Sequence, residues 1–159
     1  MTAPSPDLAA IAKPLRAGAR ALGIDIDDDR VARLAHYAAL LQTWGARMNL
    51  SAILTPAEIV TRHFLDSLAL CARLPATVPG GTLIDVGSGA GFPGALCALW
   101  RPEWRVTLID RTQKKVAFLM TLRRELALPN LDPQAVDVRA LIKEGRRFGC
   151  VVSRAAFPP

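Results

Sequence analysis

Apolar residues in the first half of the chain recur every three or four positions, and this period predicts helices. One helix should run from Leu8 to Leu22 with Ser5 as its cap, and a second should carry the apolar face from Val31 to Trp44. Pro14 predicts a kink or a break in the first helix, since proline removes a backbone hydrogen bond. A third helix should start at the capping box Thr55-Pro56-Ala57-Glu58 and continue to about residue 74.

From Thr82 onward the pattern changes, and short apolar runs alternate with helical segments. The predicted strands are Thr82–Val86, Arg105–Ile109, Leu131–Val136 and Phe148–Ser153. The predicted helices are Phe92–Trp100, a long one capped by Thr112 with Met120 facing inward, and a short basic one near Ala140–Gly145. Such alternation favours an α/β fold with a parallel sheet and right-handed crossovers. We expect a helical extension over residues 1–75 and an α/β domain over residues 76–159.

The net charge of +6 is confined to the last third of the chain. Residues 111–154 hold ten basic and four acidic side chains, so the remainder is neutral. The basic ones are Arg111, Lys114, Lys115, Arg123, Arg124, Arg139, Lys143, Arg146, Arg147 and Arg154. A concentration of cations suggests a polyanionic partner. On charge alone, a solvated helix face is the slightly favoured explanation of the same pattern.

Other classes of protein find little support in the composition. Three widely spaced cysteines argue against a disulfide framework, and no signal peptide or long apolar run is present. We therefore expect a cytoplasmic protein with no membrane segment. His36 and His63 are too far apart in the sequence to indicate a metal site.

The segment Gly87-Ser88-Gly89-Ala90-Gly91 lies between a predicted strand and a predicted helix. Glycines there permit a positive φ in a tight turn and let backbone N–H groups approach a ligand closely. A glycine-rich turn between strand and helix is by itself a weak signal, because enzymes that bind dinucleotides also use one.

Three residues outside the glycine loop indicate which ligand it binds. Phe92 stands where the dinucleotide fingerprint needs a small residue, and its bulk disfavours a docked pyrophosphate. The pattern of Asp85 followed by alternating glycines suits a ligand without phosphate, such as S-adenosylmethionine. Asp110 ends the next predicted strand, where a carboxylate can accept hydrogen bonds from both ribose hydroxyls. We expect Asp85 to order the loop or to face the methionine ammonium group; capping of the next helix is the simpler alternative.

A wider set of motifs resembles one enzyme family. The motifs are Asn49-Leu50, Arg62-His63-Phe64-Leu65-Asp66-Ser67-Leu68, Asp85-Val86-Gly87-Ser88-Gly89-Ala90-Gly91-Phe92-Pro93-Gly94, Arg101-Pro102, Leu108-Ile109-Asp110, Lys114-Lys115-Val116-Ala117-Phe118-Leu119 and Ser153-Arg154-Ala155. Together they resemble ribosomal RNA small subunit methyltransferase G, also called the glucose-inhibited division protein B family, over roughly residues 28–156. The combination of the second and third motifs is typical of that family.

The resemblance implies an activity and a fold. The activity would be methyl transfer from S-adenosylmethionine to N7 of a guanine in 16S ribosomal RNA, in the bacterial cytoplasm and with the small ribosomal subunit as partner. The fold would be a Rossmann-like class I methyltransferase sheet, here partial with about four parallel strands, plus the N-terminal helices. Guanine N7 carries a lone pair and no proton, so positioning and exclusion of water would suffice, and we nominate no catalytic residue.

Cofactor residues follow from the resemblance position by position. The expected set is Asp85, Gly87, Gly89, Gly91, Phe92, Asp110, Val138, Arg139 and Arg154. Val138 and Arg139 stand where family members contact the adenine. There the family usually has a small or apolar residue followed by glutamate, so Arg139 departs from the pattern. Arginine cannot accept a hydrogen bond from the adenine amino group, and Asp137 is a candidate substitute. Arg154 would hold the cofactor carboxylate or an RNA phosphate, unless it is a plain surface arginine.

The candidate RNA-binding residues are Arg62, His63, Lys114 and Lys115. Each has a simpler explanation, which for Arg62 and His63 is packing of their helix against the glycine loop. His63 and Asp66 are three positions apart, which suits a contact within one helix, and the two lysines suit an exposed helix face.

We count four strands where class I methyltransferases have seven. We therefore expect a shortened chain, with weakened cofactor binding and little or no methyl transfer. The outer edge of the fourth strand, with Val151 and Val152, should be able to pair with a second copy in a homodimer. One alternative function is a non-catalytic remnant that binds the cofactor or RNA. A second is a small-molecule methyltransferase, which the basic residues 111–154 and the Arg62–Leu68 motif disfavour. A third is a nicotinamide-dependent oxidoreductase, which Phe92 disfavours.

Overall fold

The computed structural model describes residues 7–154 of the 159-residue chain. The chain divides into two compact units between Arg73 and Leu74, and each unit is described by itself. The predicted domain boundary at residues 75 and 76 stays a prediction. No helix within residues 7–154 is long and apolar enough to cross a membrane.

The first unit is helical. Its elements are α1 (Leu8–Ala21), α2 (Asp28–Met48), α3 (Pro56–Glu58), a π-helical segment (Ile59–Leu65) and α4 (Asp66–Arg73). Asp7 caps α1 by accepting from the backbone N–H of Ala10 at 3.0 Å, and Ser5 lies outside the described residues. Asp27 caps α2 by accepting from the N–H of Arg30 at 2.7 Å, because aspartate carboxylates satisfy the free amides of a first turn.

The break considered at Pro14 does not occur, while a kink there stays a prediction, and the third helix runs to Arg73 as expected but contains one unpredicted segment. Helix α1 continues through Pro14, because Ile11, Leu15 and Ala19 bury one side of it and packing offsets the missing hydrogen bond. The third helix is not uniformly α-helical, since its middle, from Ile59 to Leu65, has π-helical geometry. The extra residue in this turn is rare in helices and often occurs at functional sites.

The second unit is an α/β sheet, as predicted. Its strands are β1 (Thr82–Val86), β2 (Arg105–Asp110), β3 (Leu131–Ala135) and β4 (Cys150–Val152). They are parallel and lie in the order β3-β2-β1-β4. The fold class is confirmed: four parallel strands with N-terminal helices form a partial Rossmann-like sheet. Pro133 lies in β3 at the edge of the sheet, where a residue without an N–H is tolerated.

The helices of this unit are α5 (Gly94–Trp100), α6 (Gln113–Glu125) and α7 (Val138–Lys143), and a 3₁₀ turn (Pro79–Gly81) precedes β1. Right-handed crossovers place α5 and α6 on one face of the sheet, because β1, β2 and β3 follow each other in one direction. The connection from β3 back to β4 reverses direction and places α7 on the other face. There Leu141 packs against Ile84, Val86 and Ile109.

Several details of the prediction need correction. Met120 is 49% exposed, whereas its neighbours Phe118, Leu119 and Leu122 are buried. Helix α7 starts two residues earlier than expected because Asp137 caps it, accepting from the N–H of Arg139 at 2.8 Å. In the described part of the chain β4 pairs only with β1, and Val151 is 65% exposed. No observation supports pairing of a second copy there, and the homodimer stays a prediction.

Candidate cofactor site

The glycine loop lies at the carboxyl end of β1, beside the carboxyl end of β2. Gly87, Gly89 and Gly91 have φ values of +71°, +55° and +98°, a region that favours glycine over other residues. The backbone amides of Gly87 and Ser88 donate to the carbonyl of Ile109 at 2.9 and 3.0 Å. The loop is therefore held against the end of β2, and the glycines are needed for its backbone path.

Four amides of this loop donate to acceptors within the protein. Beside those of Gly87 and Ser88, the amide of Gly89 donates to Asp110 Oδ2 at 3.1 Å, and that of Gly91 donates to the Ser88 carbonyl at 2.7 Å. Each of these four N–H groups has an internal acceptor, and the expectation that amides of the loop approach a ligand stays a prediction. A loop arranged in this way offers no ring of donors for a phosphate.

Asp85 is fully buried at the end of β1. Its Oδ2 accepts from the backbone N–H of Gly94, the first residue of α5, at 2.8 Å. Its Oδ1 has no hydrogen-bond partner among the described residues. Burial raises the pKa of Asp85 to about 6, while the Gly94 amide and the positive charge of Arg154 act in the opposite direction.

The capping contact of Asp85 is the simpler of the two roles considered from the sequence. It uses one oxygen only, so the other oxygen remains able to receive a donor. The contact also closes the amino end of α5 with a carboxylate that belongs to the protein. A pyrophosphate at that position would meet a negative charge, which argues against a dinucleotide.

Asp110 ends β2 and is the carboxylate nearest the loop. Its Oδ2 accepts from Gly89, and its Oδ1 accepts from the backbone N–H of Thr112 at 2.9 Å. Lys115 Nζ lies 3.9 Å from Oδ2. A carboxylate has about four acceptor positions, so the two backbone bonds fix its orientation and leave room for two further donors. That arrangement suits a pair of neighbouring hydroxyls.

Phe92 and Arg154 lie together at the other side of the loop. The Phe92 ring is 3% exposed, and the Arg154 guanidinium lies 5.3 Å from its centroid, within the range of a cation–π contact. Because the charge of Arg154 also acts on Asp85, these three residues form one cluster. Arg154 is half-buried beside Phe92, which favours a role at this site over that of a plain surface arginine.

Val138 and Arg139 begin α7 at the carboxyl end of β3. The Val138 side chain is half-buried against the cluster around Leu141, and the Arg139 side chain is exposed. Asp137, the candidate substitute acid, caps α7 and lies 3.6 Å from the Arg111 guanidinium. Both oxygens of Asp137 therefore already have partners.

The four candidate RNA-binding residues are not equivalent. His63 is 6% exposed, and its Nε2 lies 3.0 Å from Ser51 Oγ, so a direct contact with RNA is not available to it. Arg62 is largely exposed and lies 3.6 Å from Glu58. Lys114 is exposed, whereas Lys115 is half-buried beside Asp110. Lys115 therefore lies at the candidate cofactor site, beside Asp110.

Comparison with known proteins places this site in a family. The family model described as rRNA small subunit methyltransferase G, or GidB, matches residues 30–158. The chain belongs to this family. The match includes the Arg62–Leu68 motif, the glycine loop, Asp110 and Arg154, on which the resemblance in the sequence was based.

Curated relatives support the assignment. The chain is 43% identical to ribosomal RNA small subunit methyltransferase G of Methylobacillus flagellatus over 89% of its own length and 66% of the relative's. It is 46% identical to the Nitrosomonas europaea protein of that name over 77% of this chain and 55% of the relative. It is 42% identical to the Pseudomonas aeruginosa protein of that name over 91% of this chain and 65% of the relative. The chain thus spans less than two thirds of the length of these relatives.

Within this family site, the role of Gly94 was missed from the sequence. A Cβ at Gly94 would lie 2.7 Å from Asp85 Oδ2 and would also overlap Leu108, so only glycine allows this approach. Gly94 was part of the family motif, but nothing in its spacing shows that its amide is the partner of Asp85. The position of Lys115 beside Asp110 was missed as well, although a spacing of five residues from a strand end into the next helix could have suggested it.

Proposed function

We propose that this chain is an S-adenosylmethionine-dependent methyltransferase that acts on N7 of a guanine in 16S ribosomal RNA in the bacterial cytoplasm. The observation that carries the proposal is the Asp110 carboxylate, which is oriented by the amides of Gly89 and Thr112 and retains free acceptor positions beside the glycine loop. Family membership selects the cofactor and the RNA from the ligands that such a site could bind.

The residues present fit S-adenosylmethionine better than a dinucleotide. Asp110 would accept from the ribose hydroxyls. The unpartnered Oδ1 of Asp85 would receive the ammonium group, and Arg154 would hold the carboxylate of the methionine part. Phe92 would line the same cavity as a buried apolar wall. The inward amides of the loop and the closed end of α5 support a ligand without phosphate.

The proposed reaction requires no proton transfer to or from the protein. The cofactor supplies an electrophilic methyl group, and guanine N7 supplies a lone pair without a proton to remove. What this chain would contribute is orientation of the cofactor by Asp110 and Arg154 and exclusion of water by Phe92. No general base is required.

Calorimetry and a labelling assay test the proposal separately. S-adenosylmethionine should bind and NAD should not. Asp110→Ala should lower the affinity for S-adenosylmethionine at least about tenfold, because it removes a charged carboxylate that accepts hydrogen bonds. Labelled methyl should enter 16S ribosomal RNA that lacks the modification. Binding of NAD in preference to S-adenosylmethionine would contradict the proposal at its first step.

A second candidate is a non-catalytic protein that binds the cofactor or RNA. The observation that favours it is Arg139, whose exposed guanidinium stands where relatives of this family usually have an acid. Cofactor binding without methyl incorporation, under conditions in which a full-length relative is active, would support this candidate over the first.

A further inference from the structure

The last residue of α7 and the turn that follows the helix carry three cations. Lys143, Arg146 and Arg147 are all exposed, and we call them the basic turn. Ile142 beside them is 70% exposed, and the Arg146 guanidinium lies 5.3 Å from the centroid of the half-buried Phe148 ring. The surface therefore combines positive charge with apolar and aromatic groups.

The backbone of this turn is ordered by its own hydrogen bonds. The N–H of Gly145 donates to the carbonyl of Ile142 and that of Arg146 to the carbonyl of Leu141, both at 3.0 Å. With Gly145 at φ +68°, this is the helix-ending arrangement in which a left-handed glycine closes the last turn. Leu141 is buried in the sheet, so the turn is fixed to the core, and its cations need little ordering before they bind.

The cations of the basic turn have no acidic partners. Among residues 7–154 none of the three forms an ion pair, whereas Arg111 pairs with Asp137 and Arg124 with Glu125. Glu144 is the one acid in the sequence between Asp137 and the end of β4. A charged surface that the protein does not neutralise itself is free to bind a polyanion.

We propose that the basic turn binds the phosphate backbone of the ribosomal RNA substrate, outside the cofactor site. The choice of RNA rests on the proposed function. Two of the three cations are arginines, whose planar guanidinium suits phosphate oxygens, and the Arg146–Phe148 pair offers a stacking surface for an unpaired base. One exposed apolar residue, Ile142, is too little for insertion into a membrane.

The position of the turn is consistent with a second contact. Helix α7 begins at the carboxyl end of β3, the edge that holds the cofactor loop, and its six residues span about 9 Å. The basic turn lies at the other end of this helix. An RNA strand that passes over α7 would therefore reach both the cofactor edge and the basic turn.

The test compares two double variants of the whole chain that remove the same charge. Arg146→Ala/Arg147→Ala removes two cations of the basic turn, and Arg123→Ala/Arg124→Ala removes two from α6, on the opposite face of the sheet. Binding to a labelled 16S ribosomal RNA fragment is measured over a series of salt concentrations. The first variant should bind about 15-fold more weakly at about 0.15 M salt, and its salt slope should fall by about 1.5, since each phosphate contact contributes about fourfold there. The control should stay within about twofold of the unsubstituted chain.

Three results would overturn the proposal. They are equal RNA binding by the two variants, no RNA binding by the unsubstituted chain, and a loss in the first variant that is seen with anionic lipid vesicles but not with RNA. Calorimetry with S-adenosylmethionine distinguishes this failure from that of the proposed function. If the cofactor binds and methyl is transferred while the two variants bind RNA equally, only the basic turn is wrong. If the cofactor does not bind but the basic-turn variant alone loses RNA affinity, only the proposed function is wrong.

Discussion

Replacement of Asp85 with asparagine should stabilise the protein above pH 6 while weakening its cofactor site. Asp85 is fully buried, and one of its two oxygens has no partner in residues 7–154. Asparagine has the same shape and can still accept from the Gly94 amide, which Asp85 Oδ2 now does at 2.8 Å. The substitution therefore removes the charge and leaves the packing in place.

The magnitude follows from the raised pKa of Asp85, which burial moves from 3.8 to about 6. The folded state holds this proton more tightly than the unfolded state does, so stability falls as the pH rises between these two values and stays lower above them. Each unit of the pKa difference corresponds to about 1.4 kcal/mol, so the charged Asp85 lowers the free energy of unfolding by about 3 kcal/mol above pH 6. At pH 4 this loss is about 0.5 kcal/mol, because the carboxyl is then mostly protonated in the folded state.

Urea denaturation of both proteins, followed by circular dichroism at about pH 4 and about pH 7.5, measures this difference. Asp85→Asn should be more stable than the unsubstituted chain by about 3 kcal/mol at the higher pH and nearly equal to it at the lower. Asp132→Asn removes an exposed carboxylate of the same unit and should leave the fall with pH in place. Destabilisation by Asp85→Asn at both pH values would refute the argument that a buried charge is being retained at a cost.

Three further substitutions test other parts of the structure. Gly149→Ala should destabilise the protein by about 1–3 kcal/mol in urea denaturation, because its Cβ would lie 2.8 Å from the backbone nitrogen of Pro79, which cannot move aside easily. His63→Ala should lower the free energy of unfolding by about 2 kcal/mol through a cavity and loss of the Ser51 contact, and a loss of RNA affinity without a loss of stability would contradict this structural role. Arg139→Glu should tighten S-adenosylmethionine about tenfold in calorimetry by restoring an acceptor for the adenine amino group, and unchanged affinity would show that this position does not contact the adenine.

The strands of this protein could be predicted from the sequence because each is a short apolar run bounded by turn residues. Their parallel arrangement followed from the helices between them. The π-helical segment from Ile59 to Leu65 could not be predicted, since it differs from an α-helix by one residue in the hydrogen-bond spacing and both bury a similar stripe. The inward face of α6 was misjudged at Met120, because two apolar residues within one turn compete for the same core.

The candidate site was predictable in its composition but not in its contacts. The positions of Asp85 and Asp110 at the ends of two strands follow from the strand pattern. Which amides they accept from does not, because Gly94 and Gly89 come into reach only when the loop folds back over the sheet. The inward direction of the loop amides also depends on the Ile109 carbonyl, which belongs to the neighbouring strand.

The two roles considered for Asp85 both predict that Asp85→Asn stabilises the protein, but they predict different effects on cofactor binding. If Asp85 serves only to cap α5, an uncharged asparagine would do so without the cost of burying a charge, and loss of the carboxylate would leave cofactor affinity unchanged. If its free Oδ1 receives the ammonium group of the cofactor, the buried charge destabilises the free protein, and the ion pair formed on binding offsets that loss of free energy. Such an arrangement is common for carboxylates at functional sites. Arg154 balances that charge only in part, since the pKa of Asp85 remains raised in its presence. Asp85→Asn should therefore raise the free energy of unfolding and lower the affinity for S-adenosylmethionine in the same protein.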